Sequence, residues 1–216
     1  MPAKPPAMHD LADLVADAAA ESPEKLAIVE AAGRSLTWSQ LDDEVGRVAT
    51  GLAVAGIVAG HRVVIAVANR IEFVTSYLGV LRAQVVAVPV NPRATAGELA
   101  RMIADSGARM VVADPDTVGA VREAIALVEG GLDGRLGDID EDLLSRAAVP
   151  RVVVIDDQPL PGEKSYDDLR AAPARPVPPL QDPEKLAALL YTSGTSGRPR
   201  AAMLTHRALL ANIDQV

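Results

Sequence analysis

Four short runs of almost unbroken apolar residues constrain this chain more than anything else in it. They are residues 62–68 (RVVIAVA), 85–90 (VVAVPV), 109–113 (RMVVA) and 151–155 (RVVVI). A strand with one wet face alternates apolar and polar side chains. A strand covered on both faces reads as a continuous Val/Ile/Ala run. Each run is therefore expected to be a strand packed between two layers. Between the runs lie stripes at helical spacing: Leu41, Val45, Val48 and Leu52; Ile71, Val74, Leu78 and Leu81; Leu99, Met102 and Ile103; and an apolar segment over 118–128. This alternation over most of residues 26–128 predicts an α/β fold, a layered parallel-rich sheet flanked by helices.

Punctuation residues place the boundaries. Thr37 with Gln40, and Thr95 with Glu98, have the spacing of capping boxes, in which a hydroxyl and a carboxamide or carboxylate each satisfy an orphan backbone donor. Gly56 and Gly107 are placed to end helices, and Asn69 is expected to cap the helix that carries Ile71. Pro89 lies inside its apolar run and cannot donate to a ladder, so that strand should lie at a sheet edge or leave the sheet there. Residues 26–29 and 36–38 form an expected hairpin about Gly33, preceded by a helix from Leu11 to Ala19. Residues 1–10 are expected to be a flexible tail and 11–172 an α/β subdomain. Within it, an acidic, glycine-bearing surface segment covers 129–150, with a short helix at 141–147. A further short helix is expected at 166–171. The prolines of 173–184 make a stiff connector, and 185–216 hold a hairpin and the beginning of a next subdomain.

Composition narrows the function. Lys plus Arg number 21 against 29 Asp plus Glu, a net charge of −8. Binding driven by nucleic-acid phosphates is disfavoured on such a chain. With 0 cysteines it has no disulfide, thiol nucleophile or cysteine metal site. His9, His61 and His206 have no metal-ligand spacing. Asp13, Asp17, Asp42, Asp43 and Glu44 fit solvated helix faces, and the Asp156-Asp157 pair gives no acid–base geometry. No signal peptide or membrane-length apolar run is seen. The expected location is the cytoplasm or the periphery of a membrane.

Residues 186–206 read LAALLYTSGTSGRPRAAMLTH. An apolar strand runs into Thr192, Ser193, Gly194, Thr195, Ser196 and Gly197, and then Arg198, Pro199 and Arg200 precede a second strand. Glycines permit a backbone nest for an anion, hydroxyls rotate to meet oxygens, and arginine offers a fixed, forked cation. Gly194 and Gly197 are too close for the Walker pattern, and a strand follows where that pattern needs a helix. The composition fits a polyphosphate cradle. It also fits a plain polar hairpin tip.

YTSGTSGRPRAAMLTH resembles the phosphate-loop signature of the adenylate-forming superfamily, which holds acyl-CoA synthetases, adenylation domains and luciferases. Upstream, SPEKLAIVEAAGRSLTWSQLDDEV, GLAVAGIVAGHRVVIAVANRIEFVTSYLGVL and VPVNPRATAGELARMIADSGARMVV resemble the family's segments in the same order. Bacterial fatty-acyl and related carboxylate CoA ligases are the members it resembles most. The resemblance implies ATP, Mg²⁺ and CoA as reactants. A carboxylate attacks the α-phosphate, and CoA then displaces AMP. It places Thr192, Ser193, Gly194, Thr195, Ser196, Gly197 and Arg200 on the ATP β- and γ-phosphates. It assigns no catalytic residue and no metal ligand within the chain.

Arg200 stands where the family usually has Lys, Ala201 where it has Gly, and His61 where it commonly has Asp. The stripe of Leu209, Leu210, Ile213 and Val216 is still in progress at the last residue. The chain is thus expected to be the N-terminal portion of a ligase, inactive alone and prone to self-association through uncovered apolar surface. The alternative is a shortened, non-catalytic homologue serving as a binding module. An unrelated α/β nucleotide-binding domain is disfavoured by the ordered matches.

Overall fold

The computed structural model describes residues 10–132, 147–192 and 200–213. The helix expected at 141–147 falls outside these residues except for Ala147. A short helix α1 (Asp13–Glu21) leads into an antiparallel pair, β1 (Leu26–Val29) and β2 (Ser35–Thr37), and then α2 (Trp38–Val54). Strands and helices then alternate through β3 (Arg62–Ala66), α3 (Ile71–Arg82), β4 (Val86–Pro89), α4 (Ala96–Ser106), β5 (Met110–Ala113) and α5 (Val118–Leu132). After β6 (Arg151–Val154) come β7 (Lys164–Ser165), α6 (Tyr166–Leu169), the hairpin β8 (Leu186–Thr192) and β9 (Arg200–Thr205), and finally α7 (His206–Ile213).

Seven strands form one sheet in the order β7-β6-β5-β3-β4-β8-β9. All neighbours are parallel except β8 and β9. Burial confirms the two-faced character of the apolar runs. Val63 and Ile65 enter one core cluster with Val48 and Leu52 of α2 and Leu81 of α3. Val64 and Ala66 enter another with Leu99 and Ile103 of α4 and Val121 of α5. The period-two alternation of a strand thus divides β3 between two helical layers. A third cluster, around Val15, Val45 and Leu78, seats α1 and the β1–β2 pair on the outer side of α2 and α3.

Both capping boxes form: Thr37 Oγ1 accepts from Gln40 N, and Thr95 Oγ1 accepts from Glu98 N. The expected Asn69 cap does not. Helix α3 starts after Arg70, with no capping side chain of its own, and Glu30 accepts the Ile71 N–H instead. A carboxylate placed by tertiary structure has replaced a local cap. Strand β4 is not an edge strand, because it lies between β3 and β8. Pro89 is tolerated because it is the last residue of β4, and Val90 N donates to Ile65 O just beyond it. The two-residue strand β7 is too short to show an apolar pattern, and the following helix is shorter than the span 166–171. The Pro-rich stretch lies against α2, where Arg175 N donates to Thr50 Oγ1 at 2.9 Å.

Helix packing here depends on close approach at two glycines. A Cβ at Gly79 of α3 would come within 2.6 Å of Val48 on α2, and one at Gly51 within 1.8 Å of the Leu169 carbonyl oxygen. In a solvent-exposed helix, Gly→Ala stabilises by about 1 kcal/mol. Gly51→Ala should do the opposite and lower the unfolding free energy by about 2 kcal/mol or more, because backbone must move to admit the methyl group. Urea unfolding checks this, and a variant as stable as the wild type would contradict it.

Candidate phosphate-binding site

Of the seven residues that the family resemblance implies for phosphate, Thr192 and Arg200 are described, and residues 193–197 lie outside the described set. Thr192 ends β8 and Arg200 begins β9, and the two are directly opposed in the antiparallel register. Cross-strand partners share a face, so a hydroxyl and a guanidinium stand side by side at the mouth of the loop. Both residues are exposed. Arg200 makes no ion pair among the described residues, whereas Arg34, Arg70, Arg82, Arg122 and Arg170 are each paired with carboxylates. Ala201 lies within β9 opposite Tyr191 and is not among the non-glycine residues with positive φ. Glycine freedom is therefore not needed at position 201. His61 takes part in a surface turn, its Nδ1 accepting from Val58 N at 3.4 Å.

A register shift between Leu186 and Ala188 sets which way the hairpin faces. Beyond it, Ala188 turns toward the α2–α3 layer, and Leu189, Tyr191 and Ala201 turn toward the α4–α5 layer. There the Tyr191 hydroxyl donates to Asp105 Oδ2 at 2.6 Å. Burial, and then the Asp105 carboxylate, raise the Tyr191 pKa and keep it a donor. In the sequence Tyr191 stands only as the end of an apolar run, and Asp105 is not singled out. A tyrosine closing an otherwise aliphatic strand does carry a signal, because its hydroxyl needs a polar partner when half-buried.

In an open parallel sheet, ligands ordinarily sit where successive connections leave in opposite directions. That point lies between β3 and β5, and protein fills it. Asp114, 1% exposed, accepts from Ala68 N at 2.7 Å and from Thr117 N at 3.1 Å, and the Thr117 hydroxyl donates to Ala66 O. A second candidate, a cleft of 440 Å³, is lined by Arg34, Glu72, Asp156, Asp157 and Arg170 among others. Its cations are already committed. Arg34 bridges Glu30 at 2.8 Å and Glu72 at 2.7 Å, and Arg70 joins Glu72 to Asp156. Asp157 pairs with Arg122. The Asp156-Asp157 pair thus serves ion pairing. His206 is buried, its Nδ1 has no partner among the described residues, and burial lowers its pKa. The β8–β9 mouth is left as the place where an uncommitted cation meets a hydroxyl-rich loop.

Comparison with known proteins gives the family. The model of the AMP-binding enzyme family matches residues 15–216. A 4-coumarate–CoA ligase-like protein of Oryza sativa subsp. japonica is 34% identical over 209 residues, covering 93% of this chain and 33% of its own length. The sulfoacetate–CoA ligase of Cupriavidus necator is 32% identical, covering 97% of this chain and 37% of its own length. The chain thus spans about a third of the length of these relatives. Among solved structures, a benzoate CoA ligase from Burkholderia xenovorans superposes with a TM-score of 0.76 at 21% identity, over 96% of this chain and 36% of its own. A long-chain-fatty-acid–CoA ligase from Archaeoglobus fulgidus gives 0.75 at 25% identity, over 95% and 38%.

The bridged carboxylates set an acid limit on the fold. Burial pushes Glu72 up, but the Arg34 and Arg70 guanidiniums together outweigh it and hold the carboxyl at about 2 against an ordinary 4.5. A depressed folded pKa contributes stability that is full above 4.5 and is lost as pH falls toward 2. The stability gap between wild type and Glu72→Gln should therefore be widest near neutrality and shrink through this window. Chemical unfolding at several pH values measures it, and a gap unchanged from neutral to strongly acidic pH would contradict the assignment.

Proposed function

The chain belongs to the AMP-binding enzyme family, and we propose on that premise that it is the N-terminal part of an ATP-dependent ligase that joins a small carboxylate or fatty acid to CoA. Relatives named as ligases of 4-coumarate, sulfoacetate and 3-hydroxybenzoate support this. The observation that carries it is the last rung of the β8–β9 hairpin, which pairs Thr192 with Arg200, a cation that makes no ion pair among the described residues.

In this proposal Thr192, Ser193, Gly194, Thr195, Ser196, Gly197 and Arg200 hold the β- and γ-phosphates of ATP. A substrate carboxylate oxygen attacks the α-phosphorus, and the bond to the bridging oxygen breaks with its electron pair going to pyrophosphate. Negative charge then grows on the group the hairpin holds, where hydroxyl and guanidinium donors offset it. The thiol of CoA afterwards attacks the acyl carbon and releases AMP. Among the described residues, no three His, Asp or Glu side chains converge as a metal site, and no residue here is assigned to Mg²⁺.

A non-catalytic binding module would draw its support from the departures at 200 and 201. Ala201 lies in regular strand, and Arg200 retains a cation that can bind two phosphate oxygens in parallel. Neither departure favours the module. Two measurements test the proposal. The 216-residue chain should give no ATP–pyrophosphate exchange with 4-coumarate, sulfoacetate, benzoate or a fatty acid, and turnover above background would show that the chain is catalytic alone. It should nonetheless bind ATP, and Arg200→Ala should weaken that binding on the order of tenfold. Equal affinity would remove the phosphate role.

A further inference from the structure

We propose that the Tyr191–Asp105 hydrogen bond fixes the phosphate-binding end of the hairpin, making Asp105 of α4 a positioning residue for the terminal phosphates of a nucleoside triphosphate. The inference rests on the phosphate role proposed for Thr192 and Arg200.

Strand β8 pairs with β4 at Ala87↔Ala188 alone among the described residues. Among the described residues strand β9 has no neighbour other than β8. The rungs Leu189↔Met203, Leu190↔Ala202, Tyr191↔Ala201 and Thr192↔Arg200 therefore form a two-stranded ribbon beyond the last attachment to the sheet. A two-stranded ribbon is marginally stable by itself. One face of this ribbon exposes Leu190; on the other Met203 is 71% exposed while Leu189, Tyr191 and Ala201 pack against the α4–α5 layer, so apolar burial reaches the outer end only at Tyr191 and Ala201.

The tie to the body is made at Tyr191. Its ring packs into the cluster that contains Leu99 and Ile103 of α4. Its hydroxyl donates to Asp105 at 2.6 Å, within the short range of a bond to a carboxylate. Ser106, the next residue of α4, also interacts with the tyrosine through its side chain, so the contact lies at the C-terminal end of that helix. Helix α4 is itself held, with a capping box at its start and a left-handed Gly107 at its end. Ser106 O, the next carbonyl, accepts from Arg62 Nε of β3. The chain of contact thus runs from β3 through the end of α4 to Tyr191, one residue before Thr192 and one rung from Arg200. Phosphate gripping needs donors fixed before the ligand arrives, because each loosely held donor costs ordering entropy on binding.

The test is a titration of the 216-residue chain with inorganic tripolyphosphate, comparing the wild type with Arg200→Ala, Tyr191→Phe, Asp105→Ala, Asp105→Asn and the double variant Tyr191→Phe/Asp105→Ala. Tyr191→Phe and Asp105→Ala should each weaken binding on the order of tenfold, while thermal unfolding midpoints stay within a few degrees. The double variant should be no weaker than either single one, since both remove the same bond. Asp105→Asn, whose amide oxygen still accepts from the tyrosine, should recover most of the affinity. Wild-type affinity in Tyr191→Phe, or single effects that multiply in the double variant, would overturn the tether. If Arg200→Ala weakens binding and Tyr191→Phe does not, the tether alone fails. If the wild type does not bind tripolyphosphate, or Arg200→Ala binds equally well, the phosphate role and the tether fail together. Should Tyr191→Phe not fold, the comparison of Asp105→Ala with Asp105→Asn, which keeps the tyrosine in place, decides the matter.

Discussion

Val63 and Ile65 point into one hydrophobic layer while Val64 and Ala66, their chain neighbours, point into the other, and all four are essentially inaccessible to water. A strand buried in this way needs helices on both faces. Parallel pairing supplies them, since the crossovers from β3 to β4, β4 to β5 and β5 to β6 carry α3, α4 and α5. From β3 the order of the sheet follows: β4 on one side, β5 and β6 on the other, α2 and α3 over one face, and α4 and α5 over the other. Each fully buried valine contributes roughly 1.5–3 kcal/mol before the entropy of ordering the chain is set against it. The two-layer core therefore governs what the surface elements can do.

The β8–β9 hairpin is a later addition to that frame in both sequence and space. It joins the sheet at β4 through a single register pair, and its free end is tied sideways to α4. Such an arrangement separates two tasks. The doubly covered strands provide rigidity, and the crevice between β3 and β5 is closed by Asp114 and Thr117. The hairpin can then present polar groups at its mouth without requiring a cavity in the core. The ion-paired cleft on the β6–β7 side has its cations neutralised by Glu30, Glu72 and Glu44, which is a structural use of charge.

Much of the frame was legible in the sequence because its cause is local and repetitive. Unbroken Val/Ile/Ala runs gave β3 to β6, helical stripes gave α2 to α5, and the Thr–Gln and Thr–Glu spacings gave two helix starts. What stayed hidden depends on distant partners. Asn69 looked like a cap, but Glu30, far away in the chain, took that role through a network that also holds Arg34 and Glu72. Pro89 left two readings, an edge strand or a strand end, and it ends β4; that β8 arrives from a remote segment to cover β4 cannot be read from composition. The loop proposed to hold phosphate is visible in the sequence as a motif from Thr192 to Arg200. Its support is not, since nothing in the spacing of Asp105 and Tyr191 announces that they meet.

The central claim is that the mouth of this hairpin holds the terminal phosphates of ATP. Phosphorus NMR of ATP titrated with the 216-residue chain tests it most directly, because the three phosphorus atoms report separately. The account predicts that the β and γ resonances shift and broaden with added protein while the α resonance changes least. Three resonances that stay unmoved, or an α resonance that responds more than the other two, would contradict it.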